Sequence, residues 1–332
     1  MAEWLYEAGI GEARVALVED GAIIEARIER DSDGPRVGAV VAARLVEAGR
    51  GGKGALVALD RPGEPQATLA AVPPATSTGA RLVVEITRMA LRERGRDKPA
   101  RAVLAEPDTP LADGPDLRAR IAASGHAVVE VKPTGPDLLE QAGWSELIDH
   151  VRAGHWPFAG GALWVDATPA MVLIDIDGDG DGDALALARA GAKAAVAVIR
   201  CCDIGGSIGI DFPSLPDRAG RHAIDALVDA ALPPPFERTA VNGFGLMQII
   251  RRRERPSLIE QIRFDPVATD AALLLRQAER AAGTGTLRIA ARPAVIDHIA
   301  ANPAWIDALQ ARTGRRVELA ADVAMKGAGH AQ

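Results

Sequence analysis

The chain of 332 residues has very few cysteines and no long apolar segment, and each shortage excludes a class of protein. Its only two cysteines, Cys201 and Cys202, are adjacent, so they form neither a disulfide framework nor a CxxC zinc site. The residues MAEWLYEAG lack the basic region and apolar core of a signal peptide. No apolar run approaches the length of a membrane span. We therefore expect a cytoplasmic protein without a membrane partner.

The chain also lacks an overall positive charge, since its net charge is −7. A negative net charge does not indicate nucleic-acid binding. Such binding is decided by local patches of charge and not by the net charge. Two basic clusters stand out: Arg88, Arg92, Arg94, Arg96, Lys98 and Arg101 form the first, and Arg251, Arg252, Arg253 and Arg255 form the second. Each cluster is either a solvated surface or a phosphate clamp, because guanidinium groups bind phosphates bidentately.

The hydrophobic pattern predicts a mixed α/β protein. Residues 13–30 read as a β-hairpin that turns at Asp20-Gly21. Short strands within 37–91, separated by Gly/Pro loops, are typical of a small barrel. A charged loop is expected over 92–101. Helices and strands then alternate, and the helical segment 136–154 is expected to break near Gly143. From about residue 265 the alternation, which includes one helix over 293–313, predicts a compact α+β domain.

Two apolar runs that end on an aspartate are the most informative feature. MVLIDIDGDGDGD (171–183) contains Asp175, and SIGIDF (207–212) contains Asp211. The segment between them has helical composition, so a βαβ unit with parallel strands is predicted. If the strands are neighbours, both carboxylates lie at one edge of the sheet. Such a pair suits Mg²⁺ or Mn²⁺, ions that activate water and neutralise phosphoryl charge.

The Asp-Gly run has two other interpretations. It matches a calcium-binding loop at Asp175, Asp177, Asp179 and Gly180. The twelfth position of such a loop is Glu, whereas this chain has Ala186. The run is alternatively a solvated turn, to which Asp179, Asp181 and Asp183 would belong. Asp177 follows the strand directly, so it can face the same rim as Asp175.

Four segments together resemble the ribonuclease E/G family of endoribonucleases. TPAMVLIDIDGDG (168–180) is similar to the family's TEAM-x-x-I-D-V-N-S/T-G, and RCCDIGGSIGIDF (200–212) to its R-D-L/I-G-G-I-I-V-I-D-F. FGLMQIIRRRERPSL (244–258) is similar to F-G-L-x-E-M-T/S-R-x-R-x-R-x-S-L, and AGGALWVDA (159–167) to SGGYLVID. The hairpin and the barrel segment resemble the family's opening hairpin and OB-fold insert, so the likeness covers most of the chain.

The resemblance implies a mixed α/β multidomain fold. Its parts would be an RNase H-like hairpin and sheet (1–36 and 102–163), an inserted OB-fold RNA-binding barrel (37–101), a DNase I-like catalytic strand–helix–strand unit (164–258) and a small α+β carboxy-terminal domain (259–332). It further implies Mg²⁺, or Mn²⁺ in its place, bound by Asp175 and Asp211, with Asp177 as a third catalytic residue. The implied reaction is hydrolysis of single-stranded RNA that leaves a 5′-phosphate product. The residues assigned to RNA phosphates are Lys98, Arg96, Arg251 and Arg253.

The chain departs from the family pattern at several positions. Asp177 stands where the family has Asn, and Gln248 replaces the usual Glu. The segment before Gly160 is too short for the family's 5′-end-sensing domain, so preference for a 5′-monophosphate stays undecided. The C-P-x-C-x-G-x-G zinc link is missing after Leu258, so zinc is not expected, and monomer and dimer are both open. The barrel lacks the aromatic residues on which single-stranded bases usually stack.

Three functions therefore remain open. The first is a metal-dependent endoribonuclease. The second is a shortened, catalytically impaired member of the same family that binds RNA without cleaving it. The third, a calcium-stabilised structural protein, is disfavoured by Ala186 in the Asp-Gly run.

Overall fold

The hairpin predicted near the amino terminus is present. Its strands follow β1 (Glu3–Ala8) and are β2 (Glu12–Glu19) and β3 (Ala22–Arg30). Asp20 and Gly21 both have positive φ, 52° and 81°, as a two-residue hairpin turn requires. The computed structural model describes residues 1–49, 54–73, 76–94, 96–180, 182–215 and 217–332, without the side chain of Arg96.

A closed barrel is also present, but it extends beyond the predicted segment 37–91, because its fifth strand spans Ala100–Leu104. The strands that follow β3 are β4 (Val40–Glu47), β5 (Ala55–Leu59), β6 (Gln66–Leu69), β7 (Arg81–Arg88), β8 (Leu91–Glu93), β9 (Arg96–Lys98) and β10 (Ala100–Leu104). Five of them close in the order β10-β6-β5-β4-β7 around small and branched apolar side chains. The expected charged loop over 92–101 is wrong, because β8 and β9 pair there as a hairpin.

The rest of the chain alternates helices and strands. Its first half contains α1 (Leu117–Ala122), β11 (Ala127–Glu130), α2 (Leu138–Gln141), α3 (Trp144–Ala153), β12 (His155–Phe158), β13 (Gly161–Ala167), β14 (Val172–Gly178), α4 (Ala184–Cys201) and β15 (Gly206–Asp211). Its second half contains α5 (Arg218–Ala231), β16 (Phe236–Arg238), β17 (Leu246–Arg251), α6 (Leu258–Phe264), α7 (Pro266–Arg280), β18 (Leu287–Ala291), α8 (Pro293–Ala300), α9 (Pro303–Thr313), β19 (Val317–Ala321) and β20 (His330–Ala331).

These elements form three further sheets. The first has the order β11-β1-β2-β3, so it combines strands from both sides of the barrel segment. The second is six-stranded, in the order β12-β13-β14-β15-β17-β16, and the third is β19-β18-β20. The chain therefore has a mixed α/β fold with a closed barrel and several sheets.

The main core lies between the first sheet and the six-stranded sheet. Helix α4 contacts β3 on one side and β13 and β14 on the other. Gly191 permits the close approach, since a Cβ at this position would lie 2.4 Å from Cγ2 of Ile176. The opposite face of the six-stranded sheet carries exposed side chains, so one face of this sheet is open. Within the described residues, no helix is both long and apolar enough to cross a membrane.

A candidate metal centre beside a basic cleft

The predicted strand–helix–strand unit is formed by β14, α4 and β15. The side chain of Asp183 accepts a hydrogen bond from the amide of Leu185 at 3.0 Å and so caps the first turn of α4. After the helix, Gly206 adopts φ 85° and returns the chain into β15. β14 and β15 are parallel neighbours, as the βαβ pattern requires.

The register of these strands brings Asp175 and Asp211 side by side. The two residues are direct cross-strand partners, and both are exposed on the open sheet face. Neighbouring strands lie about 4.8 Å apart, so the two carboxylates, called the acid pair below, start from adjacent backbones. Asp177 lies two residues along β14 on the same face. The structure therefore brings together all three predicted catalytic residues.

The acid pair concentrates negative charge. Partial burial raises the pKa of the Asp175 carboxyl, and the charges of Asp177 and Asp211 raise it further. In the described part of the chain, none of the three carboxylates forms an ion pair with Lys, Arg or His. Uncompensated carboxylates of this kind favour a bound cation.

The donor atoms fit a hard divalent cation. Mg²⁺ usually binds one or two carboxylates and completes its shell with waters and substrate phosphates. Asp175 and Asp211 can supply the two carboxylates. No group of three or more His, Cys, Asp or Glu residues arranged to hold a metal occurs among the described residues. The site is therefore a two-carboxylate rim and not an all-protein cage.

Asp183, at the end of the Asp-Gly run, serves the start of α4. Asp183 is the N-cap of α4, which matches the interpretation of that part of the run as a turn. Asp179 is exposed beyond the end of β14, and Asp181 lies outside the described residues. These placements separate Asp183 from the acid pair.

A cleft of about 470 Å³ lies between the barrel and the six-stranded sheet. Among the described residues, the cations that line it are Arg88, Lys98 and Arg101 from the barrel region and Arg252 and Arg253 from the segment after β17. The acids Glu254 and Glu260 line it as well, so cations outnumber acids there. Its sheet wall includes Met171, Val172 and Ser207, which lie at the starts of β14 and β15. This basic cleft therefore joins the two basic clusters that the sequence shows far apart.

Lys98 and Arg253, both predicted to contact phosphate, meet at one carboxylate. Nζ of Lys98 lies 2.6 Å from Oε1 of Glu93, and Nη1 of Arg253 lies 3.2 Å from the same oxygen. Burial acts to raise the pKa of Glu93, but its hydrogen bonds and the charges of the two cations outweigh burial and lower it. Arg253 also pairs with Glu260. Glu93 thus holds both cations at the cleft wall.

Arg88 is a half-buried cation of the cleft. Burial, followed by the charges of Arg101 and Arg253, lowers its pKa to about 10. Its guanidinium donates hydrogen bonds to backbone carbonyls of Met89 and Pro99. Arg88 and Arg101 form no ion pair within the described residues. An anion in the cleft would relieve their mutual repulsion.

The other two predicted phosphate contacts are placed differently. Arg251 follows Met247 and Ile249 on the buried face of β17, and its Nη1 donates to the carbonyl of Ile204 at 2.8 Å. It does not line the basic cleft. Arg96 begins β9, and its side chain lies outside the described part of the chain.

Sequence reasoning missed two residues on the open face. Trp164 is the cross-strand partner of Asp175, and Ser207 lies in the cleft on the same strand as Asp211. The first could have been found from the hairpin turn 168–171, where the hydroxyl of Thr168 donates to the carbonyl of Met171 at 2.8 Å. A four-residue turn here makes Ala167 the cross-strand partner of Val172. Counting three residues back along β13 and three forward along β14 then pairs Trp164 with Asp175.

The geometry thus combines a two-carboxylate rim with a basic cleft of about 470 Å³ on one sheet. A cleft of this kind suits a polyanion, and the rim suits a hard cation that such a polyanion would help to ligate. Among known proteins, no family model matches the chain and no curated protein matches it significantly.

Proposed function

We propose that the protein is a metal-dependent endoribonuclease that hydrolyses single-stranded RNA. The observation that carries this proposal is the register of β14 and β15, which makes Asp175 and Asp211 neighbours without a cationic partner among the described residues. The basic cleft on the same sheet supports it, because phosphates held there would lead toward the acid pair.

The finer architecture belongs to the same proposal. The closed five-stranded barrel would be an OB-fold RNA-binding insert, and the first sheet an RNase H-like region. The unit around β14, α4 and β15 would be the DNase I-like catalytic domain of a shortened ribonuclease E/G protein. The motifs in 168–180, 200–212 and 244–258 support this assignment.

In the proposed mechanism, Asp175 and Asp211 would hold Mg²⁺ or Mn²⁺. The ion, when bound, would neutralise charge on the scissile phosphate and lower the pKa of water. Asp177 orients a water molecule for in-line attack on phosphorus. The new bond joins the water oxygen to phosphorus, the bond to the 3′ oxygen breaks, and the proton lost by water ends on that leaving oxygen. Arg88, Lys98 and Arg101 position the backbone without reading sequence.

The test compares cleavage of an unstructured, end-labelled RNA by single variants. Asp175→Asn and Asp211→Asn should each lower the rate by at least about 100-fold, since loss of even an outer-shell partner of a metal costs about 10- to 100-fold. EDTA should stop wild-type cleavage. Asp179→Asn, which removes an exposed carboxylate beyond the end of β14, is the matched control and should retain the wild-type rate. Cleavage by Asp175→Asn at the wild-type rate would refute the assignment.

A second function is favoured by one observation. Asp177 adds a third negative charge beside the acid pair, yet the described residues contain no three-residue metal cluster. A protein that binds RNA in the basic cleft without cleaving it would fit that arrangement. Binding that persists in EDTA, with no cleavage in Mg²⁺ or Mn²⁺, would favour this alternative.

A further inference from the structure

The acid pair lies in a row of side chains that runs across five strands. Asp175 pairs with Trp164 on one side and with Asp211 on the other, and Asp211 pairs with Leu246. His155 is the partner of Trp164 on the remaining strand. Directly paired residues point to the same face, so this row lies on the open face of the six-stranded sheet.

Trp164 is held in place but not covered. Its ring centroid lies 4.5 Å from that of His155, with an angle of 47° between the rings. The residue is nevertheless 49% exposed, whereas Trp4 and Trp144 are almost completely buried. An indole that is fixed on one side and open on the other is suited to accept a planar ligand.

A second aromatic residue lies beyond the other end of the acid pair. Phe244 is 89% exposed in the turn before β17. The side chain of Asn242 accepts hydrogen bonds from the amides of Phe244 and Leu246, at 2.9 and 3.1 Å. The carbonyl of Gly245 accepts from the amide of Phe212 at 3.1 Å, which ties this turn to the residue after Asp211.

An apolar floor connects the basic cleft to this row. A Cβ at Gly209 would lie 2.9 Å from Leu173 and 3.2 Å from Met171, so these two side chains cover the glycine. Ser207 in the cleft and Asp211 in the row share one face of β15, about 13 Å apart along the strand. This surface has cations at one end, apolar side chains at its centre and aromatic rings at the other end. It matches a nucleic-acid strand, whose phosphates would contact the cations and whose bases would contact the rings.

We propose that Trp164 and Phe244 are base-stacking residues that hold nucleotides on either side of the acid pair. The proposal rests on the proposed function, since it names how the RNA lies at that site. The occupant is a single strand, because bases in a duplex are stacked on one another and do not offer a free face to a protein ring. Stacking on aromatic rings tolerates every base, so sequence preference would be weak.

The test measures binding in EDTA to an oligouridylate and to an abasic oligomer of the same length. Trp164→Ala should weaken binding of the oligouridylate by about 10-fold, and Phe244→Ala by a similar factor. Trp164→Phe should restore most of the affinity. Neither alanine variant should change binding of the abasic oligomer, which keeps the phosphates and lacks the bases.

Tryptophan fluorescence gives an independent readout and a matched control. The oligouridylate should quench the wild-type emission, and Trp164→Phe should abolish most of that quenching. Trp156→Phe makes the same chemical change at the half-buried tryptophan of β12 and should leave the quenching intact. Unchanged quenching in Trp164→Phe would overturn the proposal.

The outcomes separate this inference from the nuclease proposal. Base-dependent quenching at Trp164 without cleavage in Mg²⁺ would support stacking while refuting the enzyme. Cleavage with an unaltered KM in Trp164→Ala and Phe244→Ala would refute stacking while supporting the enzyme. A third outcome is that the wild-type protein sediments as a dimer, both alanine variants sediment as monomers, and the oligouridylate binds no better than the abasic oligomer. The open face would then be an interface between two copies of the chain, and the proposal would be wrong.

Discussion

At the scale of single residues, Asp33 is a half-buried acid whose pKa is raised. It follows β3 and accepts a hydrogen bond from the amide of Arg30 at 2.8 Å. Burial raises its pKa to about 6, although that hydrogen bond and the charge of Arg30 oppose the shift. The folded state therefore holds this proton more tightly than the unfolded chain does.

The stability of the folded state therefore depends on pH. Between about pH 4 and pH 6 the folded state carries the proton and the unfolded state does not, so stability falls as pH rises through this window. The total loss is about 2–3 kcal/mol, from 1.36 kcal/mol per pKa unit. Asp33→Asn should abolish it. Urea unfolding at about pH 4 and pH 7 should show the variant gaining stability relative to wild type at the higher pH.

The matched control is Asp31→Asn, which removes an exposed carboxylate from the same turn. Its stability relative to wild type should change little between the two pH values. A constant difference between Asp33→Asn and wild type across the window would contradict the assigned pKa.

Some residues of the site could be located from the sequence and others could not. Asp175 and Asp211 could be predicted because each ends a short apolar strand around a helical segment. The orientation of Arg251 could also be predicted. In LMQIIR it lies two positions after Ile249 and four after Met247, so its side chain shares their face of β17. The basic cleft could not be predicted, because it needs the barrel to pack beside the starts of β14 and β15.

At the scale of elements, β1 and helix α7 are joined through a buried carboxylate. Glu7 lies 2.8 Å from Nη1 of Arg14, 2.8 Å from Nε of Arg276 and 3.0 Å from Nη2 of Arg280. Burial acts to raise the pKa of Glu7, but the three guanidinium groups outweigh it and lower it. The stability that the ionised Glu7 contributes to the folded state is therefore present above the unfolded pKa of about 4.5 and is lost as pH falls below it.

Glu7→Gln should lower the free energy of unfolding by about 3 kcal/mol at neutral pH, because it removes the buried carboxylate that three guanidinium groups share and leaves them only Glu12 and Asp137 as counter-ions. Glu3→Gln, an exposed change on the same strand, should alter it by less than about 0.5 kcal/mol. Denaturant titrations of the two variants measure the difference. Equal stabilities would mean that the network does not join β1 to α7.

The elements themselves were predicted better than their junctions. The hairpin turn at Asp20-Gly21 and the break at Gly143 carry local signals, and both occur in the structure. The helix predicted over 293–313 is instead two helices, α8 and α9, since Pro303 begins a new helix. The pairing of β1 with β11 joins Glu3 to Ala127 and has no local signal at all.

At the scale of the whole molecule, a chain of net charge −7 presents a cleft in which cations are concentrated. Binding of a single-stranded polyanion there should release counter-ions from about as many phosphates as there are cations in contact. Arg88→Gln combined with Arg101→Gln should therefore lower the slope of log affinity against log salt by about 1.4.

Binding of an oligouridylate over a range of salt concentrations measures that slope. Arg316→Gln, an exposed cation in the carboxy-terminal part, is the control and should leave the slope unchanged. If the double variant also leaves the slope unchanged, the nucleic acid does not pass through the cleft.

The ion network around Glu7 also has a consequence for biosynthesis. Glu7 and Arg276 are separated by 269 residues, so the first strand cannot complete its contacts until most of the chain has been synthesised. At about 5–20 residues per second, β1 would wait roughly 15–50 s on the ribosome with Glu7 able to pair with Arg14 but not yet with Arg276 or Arg280. Cotranslational folding of this protein should therefore begin with the barrel, whose strands are close in sequence, and end with the docking of β1.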